Sequence, residues 1–189
     1  DHFLDVGANI GSYTVLAGGA AGARVTSVEP IPQTFAHLAR NVALNGLAGR
    51  VNPCMCGLSD HSGTLRFTSD LDCVNHVLAP GEELPAIEVP VRTLDELVGS
   101  DTPALIKIDV EGHEYSVIEG AAKTIVSSRP AMLIEIEQRH IERPIAEVFE
   151  KILEFGFQGF FMGTQGLTPL ANFDVARHQS MENFGPAKA

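Results

Sequence analysis

The chain has 189 residues, of which 44% are hydrophobic and 20% charged, and its formal net charge is −11. This length and apolar content suffice for a domain with a buried core, and no apolar run approaches the roughly 20 residues that span a bilayer. The acidic charge argues against a nucleic-acid partner, because phosphate backbones are bound by clustered lysine and arginine.

The N-terminus carries no secretory signal segment and begins inside what reads as a strand, HFLDV. We therefore expect a single domain over residues 1–189 that is truncated at its N-terminus, in a cytoplasmic protein. The three cysteines, Cys54, Cys56 and Cys73, lack the spacing of a metal finger. We interpret them as buried free thiols in a reducing compartment.

Strand and helix patterns alternate along the first part of the chain. Apolar runs that end at an acid or a proline alternate with segments whose apolar residues recur at helical spacing. The predicted elements are strand 2–6, helix 12–22, strand 23–30, helix 32–45 and strand 50–58.

The alternation breaks between residues 59 and 92, and we interpret 64–92 as an insertion into the core. Long irregular segments in compact domains are often functional. Within it TLRFT and IEVPVRT alternate like strands, and Pro90 predicts that the second is an edge strand. Asn75 and His76, with Arg139 and His140 of a later loop, are polar groups that could contact a substrate.

The pattern then resumes up to a C-terminal hairpin. The predicted elements are helix 94–99, strand 104–110, helix 113–127, strand 131–137, helix 144–155 and a hairpin within 157–170 that turns at TQG. Strands that alternate with helices predict an α/β fold with a mostly parallel sheet and helices on both faces. The hairpin is expected to close one edge as antiparallel strands.

The stretch DVGANIGSYT, residues 5–14, leads from the first strand into a helix. Ligands of open α/β sheets bind beyond the carboxyl ends of strands, where this turn lies. Gly7 and Gly11 would let a ligand lie against bare backbone, and Asp5 adds a carboxylate that suits a cation. The pattern predicts a ligand site, although glycines in a turn and a capping acid also occur without one.

Glu29 ends the second strand, 22 residues after Gly7, where an acid can accept hydrogen bonds from both hydroxyls of a ribose. A dinucleotide fingerprint would read G-x-G-x-x-G. Here Asn9 replaces the second glycine and disfavours a diphosphate. A nucleoside that carries an ammonium and a sulfonium fits this pattern, which indicates S-adenosylmethionine.

Several motifs resemble the FkbM-type S-adenosylmethionine-dependent methyltransferases. They are DVGANIGSYT, VTSVEPIPQTFAHLARNVALNGL, CGLSDHSG, VRTLDEL and LIKIDVEGHEYSVIEGA, in the family's order over residues 2–137. The resemblance implies a class I methyltransferase fold with a seven-stranded sheet, and O-methylation of sugar or polyketide-type hydroxyls.

The resemblance also implies roles for residues. The turn residues Asp5, Gly7, Asn9 and Gly11 would frame the methionine end of the cofactor, and Glu29 would hold the ribose. Ser59 and Asp60 would lie near the adenine. The I-D-V-E-G signature after the fourth strand is intact as 108–112.

The segment KIDVEGHEY, residues 107–115, places ionisable groups at the end of an apolar strand. A hydroxyl is a weak nucleophile, so methyl transfer to oxygen benefits from a base within hydrogen-bond reach. We predict Asp109, Glu111 and His113 as catalytic candidates, with Glu135 as a fourth. Each has a structural alternative, since Glu111 could cap the next helix and His113 could be a solvated residue of its first turn.

The same acids with His113 and Glu135 could form an oxygen-rich divalent metal site, but no strict ligand spacing supports one, and we predict no required metal. The leading hypothesis is an S-adenosylmethionine-dependent O-methyltransferase for a small-molecule or glycan hydroxyl. A nicotinamide-dependent oxidoreductase and a non-catalytic nucleoside-binding module are the alternatives.

Overall fold

The computed structural model describes residues 1–69, 75–79, 81–164 and 166–180. The chain divides into two compact units, Asp1–Ile136 and Glu137–Ala189, each with its own strands. Cys73 lies outside the described residues, as does Gln165 of the TQG turn. Cys54 and Cys56 are both free thiols, the first half-buried and the second buried.

The first unit contains most of the regular structure. Its elements are β1 (His2–Val6), α1 (Ser12–Val15) continued by a π-helical turn (Leu16–Ala20), β2 (Arg24–Val28), α2 (Pro32–Leu44), β3 (Val51–Cys54), β4 (Gly57–Leu58), β5 (Gly63–Thr68), β6 (Ala86–Arg92), α3 (Leu94–Val98), β7 (Leu105–Ile108), α4 (Glu114–Glu119), α5 (Ala122–Ser128) and β8 (Ala131–Ile134).

The second unit is smaller. Its elements are α6 (Ile145–Glu154), β9 (Phe160–Gly163), β10 (Gly166–Pro169) and α7 (Val175–His178), with short 3-10 turns at Gln138–His140 and Leu170–Asn172. The predicted hairpin is confirmed, because β9 and β10 pair antiparallel from Gly163↔Gly166 to Phe160↔Pro169. The expectation that it closes an edge of the central sheet is not confirmed, because among the described residues β9 and β10 form a two-stranded sheet of their own.

The central sheet has the order β3-β2-β1-β7-β8, and each neighbouring pair is parallel. The chain moves outward from β1 through β2 to β3 and later continues through β7 and β8 on the other side of β1. The strand order therefore reverses beside β1, which makes the carboxyl ends of β1, β2 and β7 the expected ligand edge. The predicted parallel α/β architecture is confirmed.

Helices cover the sheet because its strands bury side chains on both faces. On one face Phe3 and Val25 pack with Leu38 and Val42 of α2 in a single cluster. On the other face Leu4 and its register partner Ile106 are almost completely buried. Helices α4 and α5 bury apolar side chains in turn, at Val117, Ile118 and Ile125.

The predicted count of seven strands in one sheet is not confirmed. Among the described residues the parallel sheet has five strands, β9 and β10 form a two-stranded sheet, and β4, β6 and β5 form a three-stranded one. The predicted strand 50–58 is divided between two sheets, because β3 pairs with β2 and β4 pairs with β6. The chain enters the second sheet at Gly57. A glycine fits there because a Cβ at this position would lie 2.8 Å from the ring of Phe67.

The prediction that Pro90 marks an edge strand is wrong. Strand β6 is the middle strand of its sheet, with β5 antiparallel on one side and β4 parallel on the other. A proline lacks the N–H of a central strand, but β4 pairs only with Val91 and Arg92. Pro90 therefore lies just before the residues of β6 that pair with β4, at a position where β4 needs no N–H from it.

Helix 113–127 of the sequence prediction is interrupted at Gly120 and Ala121. The carbonyl of Gly120 accepts a hydrogen bond from the backbone N–H of Asp95, and the carboxylate of Asp95 accepts the N–H groups of Lys123 and Thr124 at 3.1 and 2.8 Å. Asp95, a residue of α3, thus accepts hydrogen bonds from the free backbone N–H groups in the first turn of α5. This interruption depends on a tertiary contact that the local sequence does not reveal.

Candidate functional site

A crevice opens at the ligand edge of the sheet. Its lining includes six residues that the sequence predicted for the site, namely Gly7, Asn9, Glu29, Asp109, Glu111 and His113. They follow the carboxyl ends of three adjacent strands, β1, β2 and β7. The fold therefore assembles one site from the three motifs.

Gly7 is required by a close backbone contact as well as by its conformation. Its φ is +72°, and a Cβ at this position would lie 1.8 Å from the carbonyl oxygen of Asp109. The turn after β1 and the turn after β7 therefore touch through bare backbone. Gly11 has φ +90° and faces Leu38 of α2, which a Cβ would approach to 2.5 Å, so this glycine serves packing beneath the turn.

The carboxylate of Glu29 is held in place by two backbone donors. Asn9 donates its N–H to Oε2 and Ile31 donates its N–H to Oε1, each at 3.0 Å. The residue is buried, and this burial raises the pKa of its carboxyl. A carboxylate has about four lone-pair sites, so both oxygens can still accept further hydrogen bonds from a ligand.

Asp5, Lys107 and Asp109 form a charged group that extends from the crevice lining at Asp109 to the buried side chain of Asp5. The ammonium of Lys107 lies 3.0 Å from Asp109 Oδ2, 3.1 Å from the carbonyl of Gly7 and 3.7 Å from Asp5 Oδ1. Asp5 is fully buried and also accepts a 2.6 Å hydrogen bond from the hydroxyl of Thr14. Burial raises the pKa of Asp5, whereas Thr14 and Lys107 lower it.

Lys107 lies at the site, although it was not among the predicted site residues. A signal was present, because a lysine inside the apolar strand ALIKIDV must find a partner once it is buried. The register supplies that partner, since Lys107 stands opposite Asp5 on β1. Its contacts join the turns after β1 and β7.

Replacing Lys107 by methionine should destabilise the fold by about 3 kcal/mol, because Asp5 is left buried without its cation. Urea unfolding at pH 8 measures the loss. The deficit should narrow as the pH falls through the raised pKa of Asp5, since protonation removes the unpaired charge. The Asp5→Asn/Lys107→Met double variant is the control, and it should be more stable than Lys107→Met alone at pH 8; equal stability would contradict the pairing.

A chain of hydrogen bonds runs from the crevice to the surface. His113 Nε2 lies 3.0 Å from Ser59 Oγ, Ser59 Oγ lies 2.9 Å from Asp60 Oδ1, and His61 Nδ1 lies 2.7 Å from the same Oδ1. Burial lowers the pKa of His113, and the hydrogen bond from His61 lowers the pKa of Asp60. A neutral imidazole thus lines the crevice and an ionised carboxylate lies outside it.

Five predicted site residues lie outside the crevice lining: Asp5, Gly11, Ser59, Asp60 and Glu135. Asp5 and Gly11 support the turn after β1 from below, and Ser59 and Asp60 contact the site through His113. Asn75 lines the crevice, whereas Arg139 and His140 belong to the second unit.

The rest of the lining is mainly apolar. Ile31, Leu58 and Phe67 contribute to it, together with Cys56, whose pKa burial raises to about 11. Ile31, Leu58 and Phe67 were not among the predicted site residues. Glu111, with φ +50°, and Asn9, with the same value, place left-handed backbone at the crevice. Such conformations are uncommon outside glycine and are concentrated at functional sites.

Within the described ranges no group of three or more His, Cys, Asp or Glu side chains is arranged to hold a metal ion. The alternative metal site of Asp109, Glu111, His113 and Glu135 is therefore not assembled there. No helix in those ranges is both long and apolar enough to cross a membrane.

These features define a class of protein. A parallel sheet with helices on both faces, a switch-point crevice and an acid at the end of the second strand form a Rossmann-like domain of the class I methyltransferase type.

The chain belongs to the FkbM methyltransferase family, because the family model described as "Methyltransferase FkbM domain" matches residues 5–158. The resemblance seen in the motifs is thus confirmed. A solved structure titled methyltransferase FkbM, from Methylobacillus flagellatus, superimposes with a TM-score of 0.62 at 25% identity, over 87% of this chain and 40% of that one.

Curated relatives include methyltransferases with different named substrates. The chain is 34% identical over 134 residues to the hexuronic acid methyltransferase AglP of Haloferax volcanii, which covers 67% of this chain and 52% of that protein. It is 41% identical over 69 residues to the 31-O-demethyl-FK506 methyltransferase FkbM of Streptomyces tacrolimicus, over 36% of this chain and 26% of that protein. The chain thus spans about half or less of the length of these two relatives.

Proposed function

We propose that this chain is an S-adenosylmethionine-dependent O-methyltransferase domain that methylates a hydroxyl of a sugar, glycan or polyketide-type product. The observation that carries the proposal is the geometry of Glu29. Its two oxygens are fixed by the N–H groups of Asn9 and Ile31 at the crevice, with lone pairs left for two ligand hydroxyls. A ribose presents such a pair.

The electrostatics of the crevice support this cofactor over a dinucleotide. Glu29, Asp109 and Glu111 line it, and no lysine or arginine is among its lining residues in the part of the chain that is described. An acidic crevice attracts a sulfonium and an ammonium and repels a diphosphate. The nicotinamide alternative therefore loses support.

The remaining cofactor residues act as supports. Gly7 and Asn9 form the turn against which the cofactor lies, Asp5 and Gly11 hold that turn from below, and Ser59 with Asp60 completes the adenine side. When bound, S-adenosylmethionine supplies a methyl group on a positively charged sulfur. The chain must then place the acceptor hydroxyl and take its proton.

Asp109 and Glu111 are the crevice carboxylates that can take the proton of the acceptor. Asp109 is oriented by Lys107 at 3.0 Å, and Glu111 is placed at the crevice by its left-handed backbone. His113, the third catalytic candidate, already commits one nitrogen to Ser59. No metal is needed for this chemistry.

The acceptor that fits the crevice best is an uncharged hydroxyl compound. The resemblance to a hexuronic acid methyltransferase raises a uronic acid as an acceptor. Three carboxylates around the crevice would repel the carboxylate of a uronate. A neutral sugar or polyketide hydroxyl avoids this repulsion.

Isothermal titration with S-adenosylhomocysteine tests the proposal. The ligand should bind with a micromolar or tighter Kd, and NADH should give no heat under the same conditions. Absence of heat with S-adenosylhomocysteine from a folded sample, judged by circular dichroism, would refute cofactor binding. Methyl transfer from labelled S-adenosylmethionine should then favour a neutral methyl glycoside over its uronate.

A further inference from the structure

The hydrogen-bond chain from His61 to His113 fixes which nitrogen of His113 carries a proton. Asp60 is ionised and can only accept hydrogen bonds, so the single proton of the Ser59 hydroxyl is donated to Asp60 Oδ1. Charge-assisted hydrogen bonds are the stronger ones, which favours this direction over donation to a neutral imidazole. Ser59 Oγ must then accept a hydrogen bond from the N–H of His113 Nε2 at 3.0 Å.

The other nitrogen of His113 follows from this assignment. A neutral imidazole carries one proton, and with that proton on Nε2 the Nδ1 atom is a hydrogen-bond acceptor. No hydrogen bond to Nδ1 is present among the described residues, and the side chain does not cap α4. Because His113 lines the crevice, its Nδ1 atom can accept a hydrogen bond from a ligand.

The surroundings of His113 indicate which ligand group this is. Ser59 directly follows Leu58, and Leu58 lines the crevice with Ile31 and Phe67. These apolar side chains suit the flat face of a nucleobase. His113 is tied to that wall by Ser59, so its acceptor lies on the side of the crevice that suits the base.

We infer that His113 Nδ1 accepts a hydrogen bond from the amino group of the cofactor's adenine, and that Ser59 and Asp60 are positioning residues that act on the base through His113. This inference rests on the proposed function and deepens it. It assigns His113 to base selection instead of proton removal. Asp60, whose Oδ1 already accepts from Ser59 and His61, selects the base without lining the crevice.

The first test needs no ligand. Long-range nitrogen-15 spectra of histidine-labelled protein report which imidazole nitrogen is protonated, and the signals of His113 are assigned by their loss in His113→Gln. The wild type should show the Nε2–H tautomer alone. Asp60→Asn, whose amide can donate as well as accept, should populate the Nδ1–H tautomer, whereas His61→Gln, on the solvent side of the same carboxylate, should not. An Nδ1–H tautomer in the wild type would overturn the inference.

The second test compares S-adenosylhomocysteine with its deaminated analogue S-inosylhomocysteine by isothermal titration. Deamination replaces the amino donor by a carbonyl acceptor, which would face the lone pair of Nδ1. The wild type should bind the adenine compound at least about tenfold more tightly, because a buried acceptor left unpaired is costly. Asp60→Asn should reduce this ratio and His61→Gln should preserve it.

His113→Phe should reduce the ratio by about tenfold, with His113→Gln as a second variant if the first does not fold. An unchanged ratio in the folded variant would overturn the inference while the proposed function stands. If the folded wild type binds neither compound, the proposed function and the assignment of an adenine ligand fail together. The tautomer measurement then still decides whether the hydrogen-bond chain determines the tautomer of His113.

Discussion

Replacing Glu29 by glutamine should weaken the binding of S-adenosylhomocysteine by at least about 100-fold. Two hydrogen bonds from ribose hydroxyls to a charged acceptor are worth roughly 1.5–3 kcal/mol each. The variant removes the charge, and one of the two positions that accept from Asn9 and Ile31 becomes an amide donor. Isothermal titration at pH 8 measures the loss, and calorimetric melting shows whether the fold is retained.

Acidification offers an independent check on the same carboxyl. Burial raises the pKa of Glu29 above its ordinary value, so protonation begins at a higher pH than for an exposed glutamate. The affinity of the wild type should fall as the pH falls through that raised pKa, and Glu29→Gln should lack this component. Glu88→Gln, on the exposed side of β6, is the charge-matched control and should bind like the wild type. An affinity of Glu29→Gln within threefold of the wild type would refute the ribose role.

Replacing Gly7 by alanine should cost about 5 kcal/mol or prevent folding altogether. A Cβ at this position would lie 1.8 Å from the carbonyl oxygen of Asp109, and that oxygen belongs to backbone which cannot swing aside. The positive φ of 72° adds the ordinary penalty of a left-handed residue, about 1–2 kcal/mol. Urea unfolding, or the soluble yield if no folded protein forms, measures the effect.

Gly46 provides a matched control for the conformational part of that cost. Its φ is +68°, close to that of Gly7, but nothing lies within 4 Å of the position of a Cβ. Gly46→Ala should therefore lose only about 1–2 kcal/mol. If the two variants were equally stable, the contact between the turns after β1 and β7 would not be the reason for a glycine at position 7.

The local sequence was sufficient to predict the position of a residue wherever that position depends on one strand and the turn that follows it. The apolar strand HFLDV, the run ending at Glu29 and the acid-rich segment after Ile108 each end at the ligand edge as predicted. Parallel strands leave little choice about this, because all their carboxyl ends lie at the same edge of the sheet. The family resemblance added the order of the motifs, and the family match confirms it.

The sequence was insufficient wherever a residue serves a partner that is distant along the chain. Pro90 reads as an edge residue, but its sheet position depends on how far β4 extends beside it. The break between α4 and α5 depends on Asp95, about 25 residues earlier, which caps the second helix. Neither contact has a local signature, since both depend on which surfaces meet after the chain folds.

The sequence by itself determined which reactive groups the site contains: a glycine turn with Asp5, the acid Glu29 that we propose binds the ribose, and the carboxylates Asp109 and Glu111. Only the tertiary structure decided which of these groups line the crevice. Asp5 is buried beneath the crevice beside Lys107, and Asp60 contacts the site through Ser59 and His113. The physical reason is burial: a charged side chain removed from water must find a partner, and the register of neighbouring strands supplies that partner.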